Sequence, residues 1–101
     1  MIRPEEISVG NVLDYLTSEG DWMPAVMDWQ GIKWLTEDPK GFNAVHRPRE
    51  ITEVESLSND IEDLPITIQI GERNFIQINH VHRLQNLHFL LTKKPLPWKT
   101  L

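Results

Sequence analysis

The chain predicts an α+β fold: a small curled, barrel-like antiparallel sheet, a connecting helix, a β-hairpin and a C-terminal helix packed on the sheet. Three observations carry that expectation. Residues 66–78 alternate apolar and polar side chains around Gly71-Glu72-Arg73, the pattern of a hairpin with one buried face. Residues 81–92 instead place Val81, Leu84, Leu87/His88 and Leu91 at spacings of three and four, the period of an amphipathic helix. The first fifty residues break into short β-prone runs between Gly, Asp and Pro clusters, as in a small barrel. A length of 101 residues suits a single domain over 1–101, β-rich across 1–50 and made of helix, hairpin and C-terminal helix across 51–101.

Val9, Val12, Leu13 and Leu16 fit a helical stripe, yet Gly10-Asn11 interrupts its first turn and favours a bend into a strand from Val12 to Leu16. These residues leave both readings open. After the turn cluster Thr17–Asp21, the alternation of Met23, Ala25, Met27 and Trp29 with Pro24, Val26 and Asp28 reads as a second strand. Gln30-Gly31 makes the next turn, Ile32–Thr36 a third strand, Asp38-Pro39-Lys40-Gly41 another turn, and Phe42–His46 a fourth strand stopped by Arg47-Pro48. Thr52-Glu53-Val54-Glu55 is a capping box, and Val54, Leu57, Ile61 and Leu64 behind it predict a helix from Glu53 to Asp63. Its outward face carries Glu53, Glu55, Asn59, Asp60, Glu62 and Asp63, and Pro65 ends it. A three-residue hairpin loop pairs Ile68 with Ile76 and Ile66 with Ile78, which places four isoleucines on one buried face. In the last helix Asn79 is the expected N-cap, Lys93-Lys94 complement the dipole and Pro95 terminates.

The apolar content of 40%, with four tryptophans, is enough to offset chain ordering and excludes disorder by composition. Cysteine is absent, which removes disulfides, thiolate metal sites and thiol nucleophiles. No stretch approaches the apolar length of a membrane span, and no long apolar run follows Met1–Glu6; neither export nor insertion is expected, and a cytoplasmic location fits. The net charge of −5 is divided unevenly. Residues 1–64 hold 14 acidic and five basic side chains (−9), whereas residues 65–101 hold one acidic and five basic (+4). An acidic half of this kind repels nucleic acid and attracts basic protein surfaces.

Residue chemistry points away from catalysis. His80 and His82, with His46 or His88, suggest a metal site, but zinc needs three convergent ligands with supporting carboxylates, and His80 and His82 straddle a strand–helix junction where side chains diverge. Structural histidines are the simpler reading. The adjacent pairs Glu5/Glu6, Glu37/Asp38 and Glu62/Asp63 point to different faces and make poor acid/base dyads. Phosphate-loop and nucleophile-elbow patterns are missing, so neither enzymatic activity nor a cofactor is expected. Trp22, Trp29 and Trp34 suit stacking platforms or interface anchors, with core packing expected for at least two of them, and Asp21, Asp28, Glu37 and Asp38 beside them carry the wrong charge for nucleic acid. The basic set Arg83, Lys93, Lys94 and Lys99 is too sparse for a nucleic-acid stripe.

The run His82-Arg83-Leu84-Gln85-Asn86-Leu87-His88-Phe89-Leu90-Leu91-Thr92, together with Ile7-Ser8-Val9-Gly10-Asn11-Val12, resembles the closing and opening segments of small proteins carried by phages and prophages of Bacteroidetes. The resemblance favours a strand at Val12–Leu16. It departs in the middle, where Ile51-Thr52-Glu53-Val54-Glu55 only partly matches the family's helix start. It implies a phage accessory protein that works in the host bacterial cytosol, similar in general character to anti-CRISPR inhibitors. The expected function is then non-enzymatic inhibition of a host defence effector by protein binding, with an RNA-guided nuclease as the expected example. Trp22, Asp28, Trp29, Trp34, Glu37, Glu53, Glu55, Asp60 and Glu62 are the expected contact residues. The alternatives are a nucleic-acid-associated small-barrel module and a sponge for a nucleotide signal. A pocket formed by Trp29, Trp34 and Arg47 or Arg49 would favour the sponge.

Overall fold

The computed structural model describes residues 1–61 and 66–100. A short 3₁₀ turn, Pro4–Glu6, leads into β1 (Val12–Leu16), β2 (Trp22–Val26), α1 (Trp29–Glu37), α2 (Pro39–Val45), β3 (His46–Pro48) and α3 (Glu53–Ser58); the chain continues through β4 (Ile66–Ile70), β5 (Asn74–Ile78) and α4 (Val81–Thr92). The fold is α+β. Its sheet is an open antiparallel one of three strands in the order β2-β1-β3, and the expected barrel does not close.

The central strand sets the layering. Val12 opposes Val26 and Leu16 opposes Trp22 across β1–β2, while Leu13, Asp14 and Tyr15 oppose Pro48, Arg47 and His46 across β1–β3. Val12, Leu13 and Asp14 are all buried, as a strand covered on both faces requires. Successive side chains point to opposite faces. Leu13 joins Ile2, Ile7, Met27, Leu35 and Phe42 on one face; Val12 joins Val81 and Trp98, flanked by Ile51, Ile61 and Leu84, on the other. Gly10, at φ +93°, makes the bend into β1 in a conformation other residues resist.

The expected third and fourth strands are helices instead. The Asp28 carboxylate accepts a hydrogen bond from the Gly31 amide at 2.8 Å, and the Asp38 carboxylate accepts one from the Gly41 amide at 3.1 Å. Asp28, read as part of the second strand before a Gln30-Gly31 turn, and Asp38, read as the start of a turn, are therefore both helix N-caps, and Pro39 occupies the first helical position that proline favours. Gly41 has a packing reason as well, since a Cβ there would collide with the Asp38 carboxylate. Ile32 and Leu35 then face the core at helical spacing. Pro48 does not stop a strand; it lies in β3 at the sheet edge, where a missing amide is tolerated.

Thr52 caps α3 as expected, its hydroxyl accepting from the Glu55 amide at 3.1 Å. The helix ends at Ser58, Asp60 has a left-handed φ of 59°, and the expected continuation through Glu62, Asp63 and Leu64 to Pro65 lies outside the described residues. Val54 and Leu57, expected on the core face, are 60% and 68% exposed, whereas Glu55 is buried. The helix is thus rotated from the apolar-stripe reading, because an arginine fixes Glu55 inside. The β4–β5 hairpin has the expected register, Ile66 opposite Ile78 and Ile68 opposite Ile76. Its isoleucine face is only partly covered: Ile78 is buried, but Ile76 is 47% exposed.

In α4 the N-cap is His80, without a side-chain bond, rather than Asn79. Its buried positions are Val81, His82 and Gln85, while Leu91 is 72% exposed. Gln85 and its neighbour Asn86 turn inward because their amides satisfy backbone groups that would otherwise be stranded. The Gln85 amide accepts from Val12 N at 2.9 Å and donates to Gly10 O at 3.1 Å and Leu96 O at 2.9 Å. Asn86 accepts from the Asn11 side chain at 3.0 Å and donates to Glu6 O at 2.7 Å. Asn43 grips both the N–H and the C=O of Ile2, and Asn59 those of Lys99.

Replacing Gln85 with Ala leaves an amide and two carbonyls short of partners and should lower unfolding free energy by ~2–4 kcal/mol. Leu91→Ala should change it by less than ~0.5 kcal/mol. Urea unfolding of both variants checks the pair; equal losses would show that α4 is held by its leucines instead.

Candidate functional site

The β1–β3 register places Asp14 directly opposite Arg47, with Arg49 just beyond. Asp14 Oδ2 accepts from Arg47 Nε at 3.2 Å and Oδ1 accepts from Arg49 Nη1 at 2.6 Å. Arg49 turns its other two nitrogens to Glu55 Oε1, Nε at 3.0 Å and Nη2 closer still. The side chains of Asp14 and Glu55 are 8% and 2% exposed. Burial works against the charge on Arg49, but hydrogen bonds and attraction from Glu55 and Asp14 outweigh it and raise its pKa. A buried network of this kind adds less to stability than to geometry: it locks α3 to the centre of the sheet.

Arg47 is placed differently. Its side chain is 52% exposed, and its guanidinium carbon lies 4.2 Å from the Trp22 ring centre, a cation–π contact. Asp14, Trp22, Arg47 and Arg49 line a cleft of about 450 Å³ with Pro48, Glu50, Thr52 and His80. Glu50 and His80 in this lining are themselves joined by an antiparallel backbone bridge. A tryptophan and two arginines thus do meet at a cleft, but the tryptophan is Trp22, not Trp29 or Trp34. The signal in the sequence was Asp14, a carboxylate within the apolar run Val12–Leu16, which must find cations when its strand is central.

The opposite face of the sheet carries an aromatic cluster. Phe42 stacks on His46 with ring centres 3.8 Å apart, Trp34 sits edge-on to both at 5.5 and 5.4 Å, and Tyr15 leans on His46 at 5.2 Å. His46 is buried, and its Nδ1 lies 2.9 Å from the Phe42 carbonyl. Burial lowers its pKa and the Phe42 carbonyl opposes that only in part, so the stack is uncharged at neutral pH. Tyr15 and Trp34 stay 40% and 39% exposed, with Met23 opposite Tyr15 at 52%.

The remaining expected contact residues scatter. Trp29 is 71% exposed on the first turn of α1, turned away from Trp34 by the five-residue spacing. Asp28 is occupied as a helix cap. Glu37 is exposed one turn after Trp34, Glu53 is exposed on α3, and Asp60 is exposed beyond it. Glu55 is internal, and Glu62 lies outside the described residues. A second apolar groove of about 420 Å³ separates the hairpin from α4, lined by Ile68, Ile76, Ile78, Arg83, Leu87 and Leu91.

His80 and His82 lie close together, with ring centres 6.0 Å apart. Among the described residues no group of three or more His, Cys, Asp or Glu side chains is arranged to hold a metal. Nor is any described helix long and apolar enough to cross a membrane. Compared with protein-family models, curated proteins and solved structures, the chain matches none.

His82 is 1% exposed, and neither ring nitrogen has a partner among the described residues. Burial pushes its pKa down to about 4; His80 and Arg83 add to the shift, and Glu6 opposes it. The unfolded imidazole, near 6.5, therefore binds a proton that the folded one refuses until about pH 4. Stability is present above pH 6.5 and falls as pH drops towards 4, by roughly 2–3 kcal/mol at pH 4.5 from this residue. Denaturation at pH 7.5 and 4.5 tests it: His82→Leu should lose that much less on acidification, and an identical loss would remove His82 as the cause.

Proposed function

We propose that the protein acts by binding another protein, using the aromatic face of Tyr15, Met23 and Trp34 as its anchor. The observation that carries this reading is that two exposed aromatics rest on a buried stack. Phe42 and His46 hold Trp34 and Tyr15 from below, so little side-chain freedom remains to be lost on docking. Rigid, partly exposed Trp and Tyr are the side chains that dominate interface energetics. Glu37, one turn from Trp34 on α1, and the acidic balance of residues 1–64 favour a partner with a basic surface.

The resemblance to Bacteroidetes phage proteins supplies the partner class: a host defence effector in the bacterial cytosol, an RNA-guided nuclease with its basic RNA channel being the candidate. On this reading the protein is a non-enzymatic inhibitor of anti-CRISPR type and has no need to bind RNA itself.

Cleavage by purified RNA-guided nucleases from Bacteroidetes hosts, with and without the protein, tests the proposal. One of them should be inhibited. Trp34→Ala should weaken binding to that nuclease about 30-fold, equivalent to ~2 kcal/mol, mainly by faster dissociation. Glu37→Lys should instead slow association and reduce its salt dependence. If Trp34→Ala inhibits as well as the parent protein, the aromatic face is not the anchor. Sub-micromolar, steeply salt-dependent binding of single-stranded RNA by the protein alone would replace this reading with a nucleic-acid module.

A further inference from the structure

The cleft on the other face of the sheet has a feature that packing does not require. Asp14 could hold Arg47 through two parallel hydrogen bonds, the usual arginine–carboxylate geometry. It does not: Oδ1 accepts from Arg49 Nη1 at 2.6 Å, and Arg47 meets Oδ2 through Nε alone, at 3.2 Å. The two terminal nitrogens of Arg47 consequently have no protein partner among the described residues. The guanidinium is nevertheless fixed, clamped at Nε by Asp14 and across its face by the Trp22 ring at 4.2 Å.

We infer that this cleft is a binding site for a small monocarboxylate with a flat apolar body, its carboxylate taken by the terminal nitrogens of Arg47. The cleft, about 450 Å³, lies within the range of small-molecule sites. A guanidinium edge matches a carboxylate in two parallel bonds, which a lysine ammonium does not. Pro48 and the Trp22 ring form apolar walls, and Thr52 and His80 supply polar groups. Burial and nearby Arg83 hold His80 below its usual pKa, so it stands there as a neutral hydrogen-bonding ring.

Charge argues against a polyanion. Arg47 and Arg49 face Asp14 and Glu50 in the walls and Glu55 behind Arg49, one carboxylate more than the two arginines balance. One negative charge can be met by the one unengaged fork, whereas a polyphosphate would face Asp14 and Glu50 without matching cations. The site goes beyond the proposed protein-binding role and is independent of it, since Asp14 and Arg47 lie on the face opposite Tyr15 and His46.

The test is a titration of the full chain with sodium benzoate at constant ionic strength, followed by NMR of the tryptophan indole and arginine Nε signals. Benzoate should shift the Trp22 and Arg47 signals and leave that of Trp34 in place. Arg47→Gln, and equally Arg47→Lys, should weaken binding at least about tenfold, with circular dichroism unchanged because Arg47 is a surface side chain. Glu50→Lys should act in the opposite direction and tighten binding several-fold. Trp34→Ala should leave benzoate affinity unaltered, so that failure of the anchor reading and failure of this one can be told apart. Absence of shifts at Trp22, or shifts that survive in Arg47→Gln, would overturn the inference. Tighter binding of adenosine monophosphate or inorganic phosphate than of benzoate would overturn it too, in favour of a phosphate ligand.

Discussion

A helix can cover a sheet only if the polar backbone at the covered edge is satisfied, and in this protein one consecutive pair of side chains meets that demand. Gln85 completes the hydrogen bonding of Val12 N, Gly10 O and Leu96 O, and Asn86 that of the Asn11 side chain and Glu6 O. Residues more than 70 positions apart are thereby fixed in one place. Without this join, β1 would lose its cover on the Val12 side, and the cluster of Val12, Val81 and Trp98 would have no reason to form. The same device recurs at both ends of the described chain, where Asn43 holds Ile2 and Asn59 holds Lys99 as an adjacent strand would. An amide side chain carries one donor group and one acceptor, so it can stand in for a neighbouring peptide where no strand is present.

A second constraint follows from the first. With β1 covered on both faces, Asp14 is buried and must be paired, and Arg49 answers it while also reaching Glu55. The cost of placing these charges inside is offset by placing them together. Their arrangement rotates α3 so that a glutamate faces inward and Val54 and Leu57 face outward. It also leaves Arg47 held at one end and unengaged at the other. The cleft is therefore a consequence of the sheet order β2-β1-β3 rather than of any local motif.

The two faces of the sheet end in different surfaces. One ends in exposed Tyr15 and Trp34 on a stacked, uncharged core; the other ends in a cleft of arginines and carboxylates with an ordered guanidinium. The first has the rigidity and aromatic character of a protein anchor, and the second has the concavity and single polar focus of a small-ligand site. The hairpin is a third region. A two-stranded ribbon gains little stability by itself, and its isoleucine face keeps an open groove against α4.

Local chemistry was legible wherever neighbours in the chain decide the outcome. The β4–β5 register followed from alternation and loop length, since a one-residue slip would expose every isoleucine at once. The Thr52 cap was readable for the same reason, whereas the residues around Val12–Leu16 left helix and strand both open, and the fold makes them a strand. Asp28 and Asp38 were not, because Asp-x-x-Gly makes a similar side-chain-to-amide bond in a turn and at a helix start, and only packing of Ile32, Leu35 and Phe42 on Leu13 selects the helix. Of the candidate site, Trp34 and Glu37 could be named from sequence, whereas the union of Trp22, Asp14, Arg47, Arg49 and Glu55 could not. Those five residues are distributed over β1, β2, β3 and α3 and the segment between them, and nothing in their spacing brings them together. Long-range contact made that choice: burial on both sides of β1 turns one aspartate from a surface residue into a charge that must be answered.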